Sequence, residues 1–163
     1  MKKILFTILA ASLLSMADAQ VTTPQASPHA RVESTVGLTN VSVEYSRPSA
    51  KDRKIFGGLV PMGKIWRTGA NMNTLFRTND DITFNGKDVL KAGTYSIYTI
   101  PNQDSWTVIF YSDTTNGGVP QSWNDKKIIL KTQALVSDVR PNVETFTIDF
   151  ENLTNNTAEL AFS

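Results

Sequence analysis

Between residues 31 and 162 apolar and polar positions alternate in short runs separated by turn residues. No window sustains a 3.6-residue period over three turns, so strands rather than helices are predicted throughout. Val41-Ser42-Val43-Glu44-Tyr45 has the period of two of a strand with one face in a core and the other in water. Residues 31–36 are its predicted partner, joined to it through Gly37-Leu38-Thr39-Asn40. Short strands follow over 75–78 and 82–84, with Asn79-Asp80-Asp81 between them. Asn85-Gly86 predicts a type I′ hairpin, because both residues tolerate positive φ, and leads through 87–90 to a turn at Ala92-Gly93. Residues 94–100 are rich in Tyr, Thr and Ile, which suit a pleated surface. Pro101-Asn102-Gln103-Asp104 turns the chain into a strand at 106–111, and Asn116-Gly117-Gly118 breaks it again. Later strands are predicted around 128–130, over 146–150 and over 158–162, the last two flanking a turn at 152–156.

Short strands in this number, with turn signals every ten residues or so, predict an all-β fold: a single antiparallel β-sandwich or flattened barrel over residues 31–163. Its interior is expected to hold Tyr45, Phe84, Ile97, Trp106, Val108, Phe110, Ile129, Phe146, Ile148, Phe150 and Phe162.

The N-terminus has a different pattern. Met1-Lys2-Lys3 is a basic start, residues 4–14 are an apolar stretch broken only by Thr7 and Ser12, and Ala17-Asp18-Ala19 has the form that signal peptidase reads. Residues 1–19 are therefore expected to be a signal peptide. The apolar run is too short to span about 30 Å of hydrocarbon, and no later run approaches that length, so no membrane span is expected after cleavage. Residues 20–30, polar with Pro24 and Pro28, are expected to be a flexible leader. The remaining 144 residues suffice for one domain with its own core. The chain contains no cysteine, which excludes disulfides, thiol nucleophiles and zinc–thiolate sites.

Charge is where the chain is most uneven. Residues 47–77 carry Arg47, Lys51, Arg53, Lys54, Lys64, Arg67 and Arg77 against Asp52 alone, a net charge of +6. Without Lys2, Lys3 and Asp18 the chain has fourteen basic and fourteen acidic side chains, so the rest of the mature protein carries −6. That balance does not suit a general nucleic-acid binder, and no nucleic-acid partner is expected. The basic segment also holds Gly57, Gly58, Gly63 and Gly69, which permit close backbone approach to a ligand. Arginine adds a planar fork matched to carboxylate, phosphate or sulfate oxygens. Trp66 beside Arg67 offers a stacking face, or alternatively a core plug under a long connection.

Other chemistry has less to work with. His29 is the only histidine and lies in the polar leader, so a Ser–His–Asp triad and His-based metal clusters are not expected. Asp80-Asp81 beside Asn79 reads as a turn and lacks the ligand ladder of a calcium loop. No carboxylate pair of the kind a glycosidase needs is singled out. No metal, cofactor or catalytic residue is assigned.

Five stretches occur in order: Arg47-Pro48-Ser49, Gly57-Gly58-Leu59-Val60-Pro61, Gly63-Lys64-Ile65-Trp66-Arg67-Thr68-Gly69-Ala70-Asn71, Ala92-Gly93-Thr94-Tyr95-Ser96 and Trp106-Thr107-Val108-Ile109-Phe110. Together they resemble the secreted bacterial proteins catalogued as domain of unknown function 2911, over residues 24–162. The resemblance implies a β-rich domain exported to the periplasm or cell surface of a Gram-negative cell, with no established activity. Two departures stand out. The family run continues after the Asn with an acidic and then a small residue, where Met72 and Asn73 stand here. Family members also extend beyond the final strand, so this chain is expected to stop inside its last strand and expose a sheet edge.

Three functional readings follow. The first is a non-catalytic envelope module that binds an anionic small molecule or glycan through Arg47, Arg53, Lys54 and Arg67, with Trp66 and Asn71 shaping the pocket. The second is a metal-independent glycan or phosphoester hydrolase. The third is a structural or interaction protein of the envelope, in which the basic segment only packs against the sandwich.

Overall fold

A computed structural model describes residues 23–137 and 143–163, and the expected signal peptide lies outside them. Among the described residues the regular structure is almost entirely β. The strands are β1 (His29–Val36), β2 (Thr39–Ser46), β3 (Leu75–Thr78), β4 (Ile82–Phe84), β5 (Asp88–Leu90), β6 (Gly93–Ile100), β7 (Ser105–Tyr111), β8 (Ile128–Leu135), β9 (Ile148–Glu151) and β10 (Glu159–Phe162). A 3₁₀ turn at Asp125–Lys127 leads into β8. Strand order β1-β2-β3-β6-β7-β8 makes one six-stranded antiparallel sheet, and β4-β5 and β9-β10 are separate hairpins. The sheet does not close into a barrel, and the fold is sandwich-like.

The turn chemistry accounts for the connections. Gly37 at φ 64° and Leu38 join β1 to β2, while Asn85 and Gly86, at φ 51° and 70°, supply the two positive angles of the β4–β5 turn. β1 begins two residues before the expected domain start, with His29 opposite Ser46.

The hairpins seal one face of the sheet. Val41, Val43, Tyr45, Phe76, Ile97, Val108 and Phe110 from the sheet meet Ile148 and Phe150 of β9, Leu90 of β5, and Phe146 just before β9. The Tyr45 hydroxyl ties this layer to the sheet, donating to Ile148 O at 3.1 Å and accepting from Ile148 N at 2.9 Å. The β4–β5 hairpin is tied to β8, because Asn85 donates to Thr132 Oγ1 at 2.8 Å and Thr132 donates to Asp88 at 2.7 Å.

Of the expected core residues, Phe84, Trp106 and Phe162 are only partly buried. Ile129 is an error of register: it is 48% exposed. Leu130 pairs with Phe110 but Ile128 pairs with Tyr111, so a bulge leaves Ile129 unopposed and turned outward.

The opposite face carries a second, smaller cluster, which the alternation argument passed over. Tyr98, Ile109 and Tyr111 are buried there, with Ile65 and Trp123 packed on them. Trp123 stacks on Tyr111 at 4.6 Å and meets Tyr98 edge-on at 5.2 Å. β6 and β7 are thus covered on both sides, and five consecutive residues of β6 are buried.

Candidate functional site

Residues 47–74 connect β2 to β3 and contain every side chain expected to bind a ligand. The segment begins by anchoring itself. Arg47 donates from Nε to Phe146 O at 3.2 Å and from Nη2 to Thr147 Oγ1 at 2.9 Å. Arg53 turns back on its own chain, donating to Ala50 O at 2.9 Å and Ser49 O at 2.7 Å. Both guanidiniums therefore satisfy backbone carbonyls, as a turn-rich connection requires. Lys54 is exposed and lies alongside Gly57.

The chain returns to the sheet at Trp66, whose N–H donates to Thr99 O at 2.7 Å and whose carbonyl accepts from Thr99 N at 3.0 Å. The pairing extends the line of β3 beside β6 and sends the Trp66 ring into the sealed core. There it meets Phe146, Phe56 and Trp106 edge-on, with centroids 5.0, 6.0 and 6.2 Å away. Trp66 packs, partly buried, against the core, as the core-plug alternative has it.

Residues 67–73 leave the sheet as a tight excursion. Thr68 and Asn71 stand at φ 57° and 56°, and Gly69 at 143°. A β-branched residue at positive φ is strained, and here hydrogen bonds hold it: Thr68 Oγ1 donates to Thr99 Oγ1 at 3.0 Å, and Thr74 Oγ1 donates to Thr68 O at 2.6 Å. A Cβ on Gly69 would stand 3.0 Å from Ser46 O and 3.1 Å from Thr74 Oγ1, which explains that glycine. Asn71 is not among the residues lining the depression beside Arg67. Its amide clamps the N-terminal segment by donating to Gln25 Oε1 and Ser27 O, both at 3.0 Å.

Arg67, next to Trp66 in an extended pairing, emerges on the other side of the sheet. Its Nη1 donates to Asn71 O at 3.2 Å. The same nitrogen lies against Gly118, where a Cβ would come within 3.3 Å of it. Arg67 and residues 116–122 together line an open depression of about 660 Å³. Among the described residues Arg67 has no carboxylate partner.

The far wall of the depression is fastened by buried polar groups. Asn73 accepts from Gly118 N at 2.9 Å and donates to Ser96 Oγ at 2.7 Å, and Ser96 donates on to Asp113 O at 2.8 Å. Tyr98 donates its hydroxyl proton to Gly118 O at 2.8 Å. Burial pushes the Tyr98 hydroxyl above its usual pKa, so it stays a donor. The Lys127 ammonium 2.5 Å away, with help from the Thr115 N–H, holds Asp113 below the usual carboxylate range.

A second depression, about 340 Å³, lies over the outer face of β1, β2 and β3 and also contains arginines. Those arginines are spoken for. Glu44 Oε1 lies 2.6 Å from Arg31 Nη1 and 2.7 Å from Arg77 Nη1. Burial opposes the Glu44 charge, but Arg77 and Arg31 outweigh it and hold its pKa down. Asp81, in the turn considered for calcium, accepts instead from Lys91 Nζ at 2.6 Å and Ala92 N at 3.0 Å.

The six residues expected to share a ligand are thus not brought together. Arg47 and Trp66 are used on the sealed face, Arg53 on its own turn and Asn71 on the N-terminal segment, Lys54 is exposed beside Gly57, and of the six only Arg67 lines either of the two depressions described. Sequence reasoning missed the other wall, residues 116–122, together with Asn73, Ser96 and Tyr98. The available signal was Gly117-Gly118, read only as a chain break: its second glycine makes room for Arg67.

A family model described as protein of unknown function (DUF2911) matches residues 27–163, and the chain belongs to that family. No curated protein and no solved structure matches it.

Proposed function

We propose that this member of the DUF2911 family is a non-catalytic binding module of the cell envelope that holds the anionic group of a small molecule or glycan at Arg67. One observation carries the reading: Arg67 is held over an open depression with no carboxylate among the described residues to neutralise it, whereas Arg31 and Arg77, in the other depression, share Glu44. Strain at Thr68 supports it, since residues held off their preferred backbone angles cluster at ligand-binding sites. Gln121 and Ser122, both exposed, add polar groups on the rim suited to ligand hydroxyls.

The binding set is accordingly narrower than the charge run suggested. Arg47 and Arg53 serve the fold, Trp66 the core and Asn71 the N-terminal segment. Export to the periplasm or cell surface belongs to the same proposal and rests on the pattern of residues 1–19.

A thermal-shift screen against glucuronate, galacturonate, nucleotides and inorganic phosphate tests the proposal, because a ligand that binds only the folded state raises the melting temperature by mass action. An anionic sugar should raise it in the parent protein and leave Arg67→Ala unmoved, while its neutral counterpart should shift neither protein. Equal shifts in parent and variant would refute the assignment to Arg67.

A further inference from the structure

The loop ahead of Trp66 has its own architecture, separate from the Arg67 depression. Residues 54–60 close on themselves: Leu59 N and Gly58 N donate to Lys54 O and Ile55 O at 3.1 and 3.2 Å, while Val60 N reaches Ile55 O at 2.8 Å and Gly57 N reaches Val60 O at 2.9 Å. Gly58 is obligatory, since a Cβ there would stand 2.3 Å from Lys54 O. Val60 is buried, and the Phe56 ring packs on Trp106 with centroids 4.6 Å apart, which pins the loop to the aromatic cluster. Gly63 N donates to Pro101 O at 2.8 Å and pins its far end.

A loop fastened at both ends has no need of apolar side chains pointing outward, yet Leu59 is 60% and Met62 42% exposed. Cations are close to them in the chain. Residues 51–64 carry Lys51, Arg53, Lys54 and Lys64 against Asp52, a net charge of +3. The Lys54 side chain and Met62 flank Gly57 together, with Lys54 Cε and Met62 Cγ 3.7 and 3.8 Å from where its Cβ would be.

We infer that this loop docks on an anionic lipid bilayer, with Leu59 and Met62 entering the headgroup region and Lys51, Lys54 and Lys64 meeting lipid phosphates. Charge complementarity selects that occupant. A few half-exposed apolar side chains fall far short of the ~800 Å² per partner of a stable protein interface. A bilayer needs no matching shape, only apolar insertion reinforced by cations. The peptide N–H groups of Gly57, Gly58, Leu59 and Val60 are already hydrogen-bonded within the loop, so insertion of Leu59 leaves these groups satisfied.

Because the chain has no cysteine, a single introduced thiol can report locally. Full-length Leu59→Cys is labelled with an environment-sensitive fluorophore and mixed with vesicles of phosphatidylglycerol or of phosphatidylcholine. Leu38→Cys, at the β1–β2 turn and so at the other end of β2, is the control; Leu38 is 96% exposed. The inference predicts a blue-shifted, brighter signal at position 59 with phosphatidylglycerol only, and none at position 38. Replacing Lys54 or Lys64 by Gln in the labelled protein should weaken partitioning about fivefold each, the equivalent of ~1 kcal/mol per cation. A label at 59 that stays water-like with both vesicles overturns the inference, even if the loop later proves to bind a protein. So does a signal that rises equally at 38 and 59, or equally with both lipids. None of these outcomes bears on anion binding at Arg67.

Discussion

The two faces of the six-stranded sheet are covered by different physics. On one face two hairpins contribute Leu90, Ile148 and Phe150, and the seal is apolar area. On the other, irregular chain lies over Tyr98 and Tyr111 and is fastened by side-chain hydrogen bonds from Asn73, Ser96 and Tyr98. Apolar burial is non-directional and closes space wherever it acts. Hydrogen bonds hold a loop at chosen points and leave gaps between them, and the Arg67 depression is such a gap. Stability should therefore reside on the first face and binding on the second.

The largest expected effect falls on the sealed face. Phe110 is fully buried against Phe76 and Phe84, so Phe110→Ala should cost about 3–5 kcal/mol in denaturant unfolding. A loss below about 1 kcal/mol would mean that apolar burial does not govern that face.

On the fastened face, Asn73→Ala removes the acceptor of Gly118 N–H and the donor to Ser96. It should cost about 1–3 kcal/mol, the range for buried polar groups left unpaired. It should also speed amide exchange at Gly118 while leaving β2 and β7 protected. Uniform loosening of the whole sheet would erase the distinction between the faces.

The smallest effect concerns pH. The folded pKa of Asp113 lies below its unfolded value of about 3.9, so its contribution is present at neutral pH and is lost as pH falls through the folded pKa. Asp81, lowered by Lys91 and the Ala92 N–H, and Glu44, lowered by Arg77 and Arg31 against the cost of burial, behave alike. Melting temperature should thus decline on acidification below about pH 4, and Lys127→Met should flatten part of that decline. An unchanged acid profile in the variant would mean that the Lys127–Asp113 pair contributes nothing to holding the 113–118 loop.

How much was legible in the sequence follows the same division. Period-two runs and the Asn85-Gly86 turn were enough to place the strands, because they are local consequences of burying one face. Ile129 escaped because a bulge shifts register through the partner strand and leaves no local mark. The second cluster escaped because Tyr98 and Tyr111 occupy the face that alternation assigns to solvent. The candidate site was half legible. Charge and glycine pointed to the segment containing Arg67, but Arg47 is committed to Phe146, nearly a hundred positions away, Arg53 to the carbonyls of Ser49 and Ala50, and Arg77 to Glu44. The opposite wall, 116–122, comes from a segment with no basic residue at all.

The central claim is that, of the residues expected to share a small anionic ligand, Arg67 alone binds it. The direct measurement is a calorimetric titration of the best anionic sugar from the screen into the parent protein, Arg67→Ala, Arg67→Lys and Arg47→Lys, at two salt concentrations. Arg67→Ala should lose about 1.5–3 kcal/mol of binding, the range for a charge-assisted hydrogen bond, with unfolding stability within about 0.5 kcal/mol of the parent. Arg67→Lys should also weaken binding because the planar fork is gone, Arg47→Lys should not, and parent affinity should fall as salt rises. Undiminished affinity in Arg67→Ala, or a melting temperature lowered by several degrees with no anion able to raise it in the parent, would contradict the account and return Arg67 to the fold.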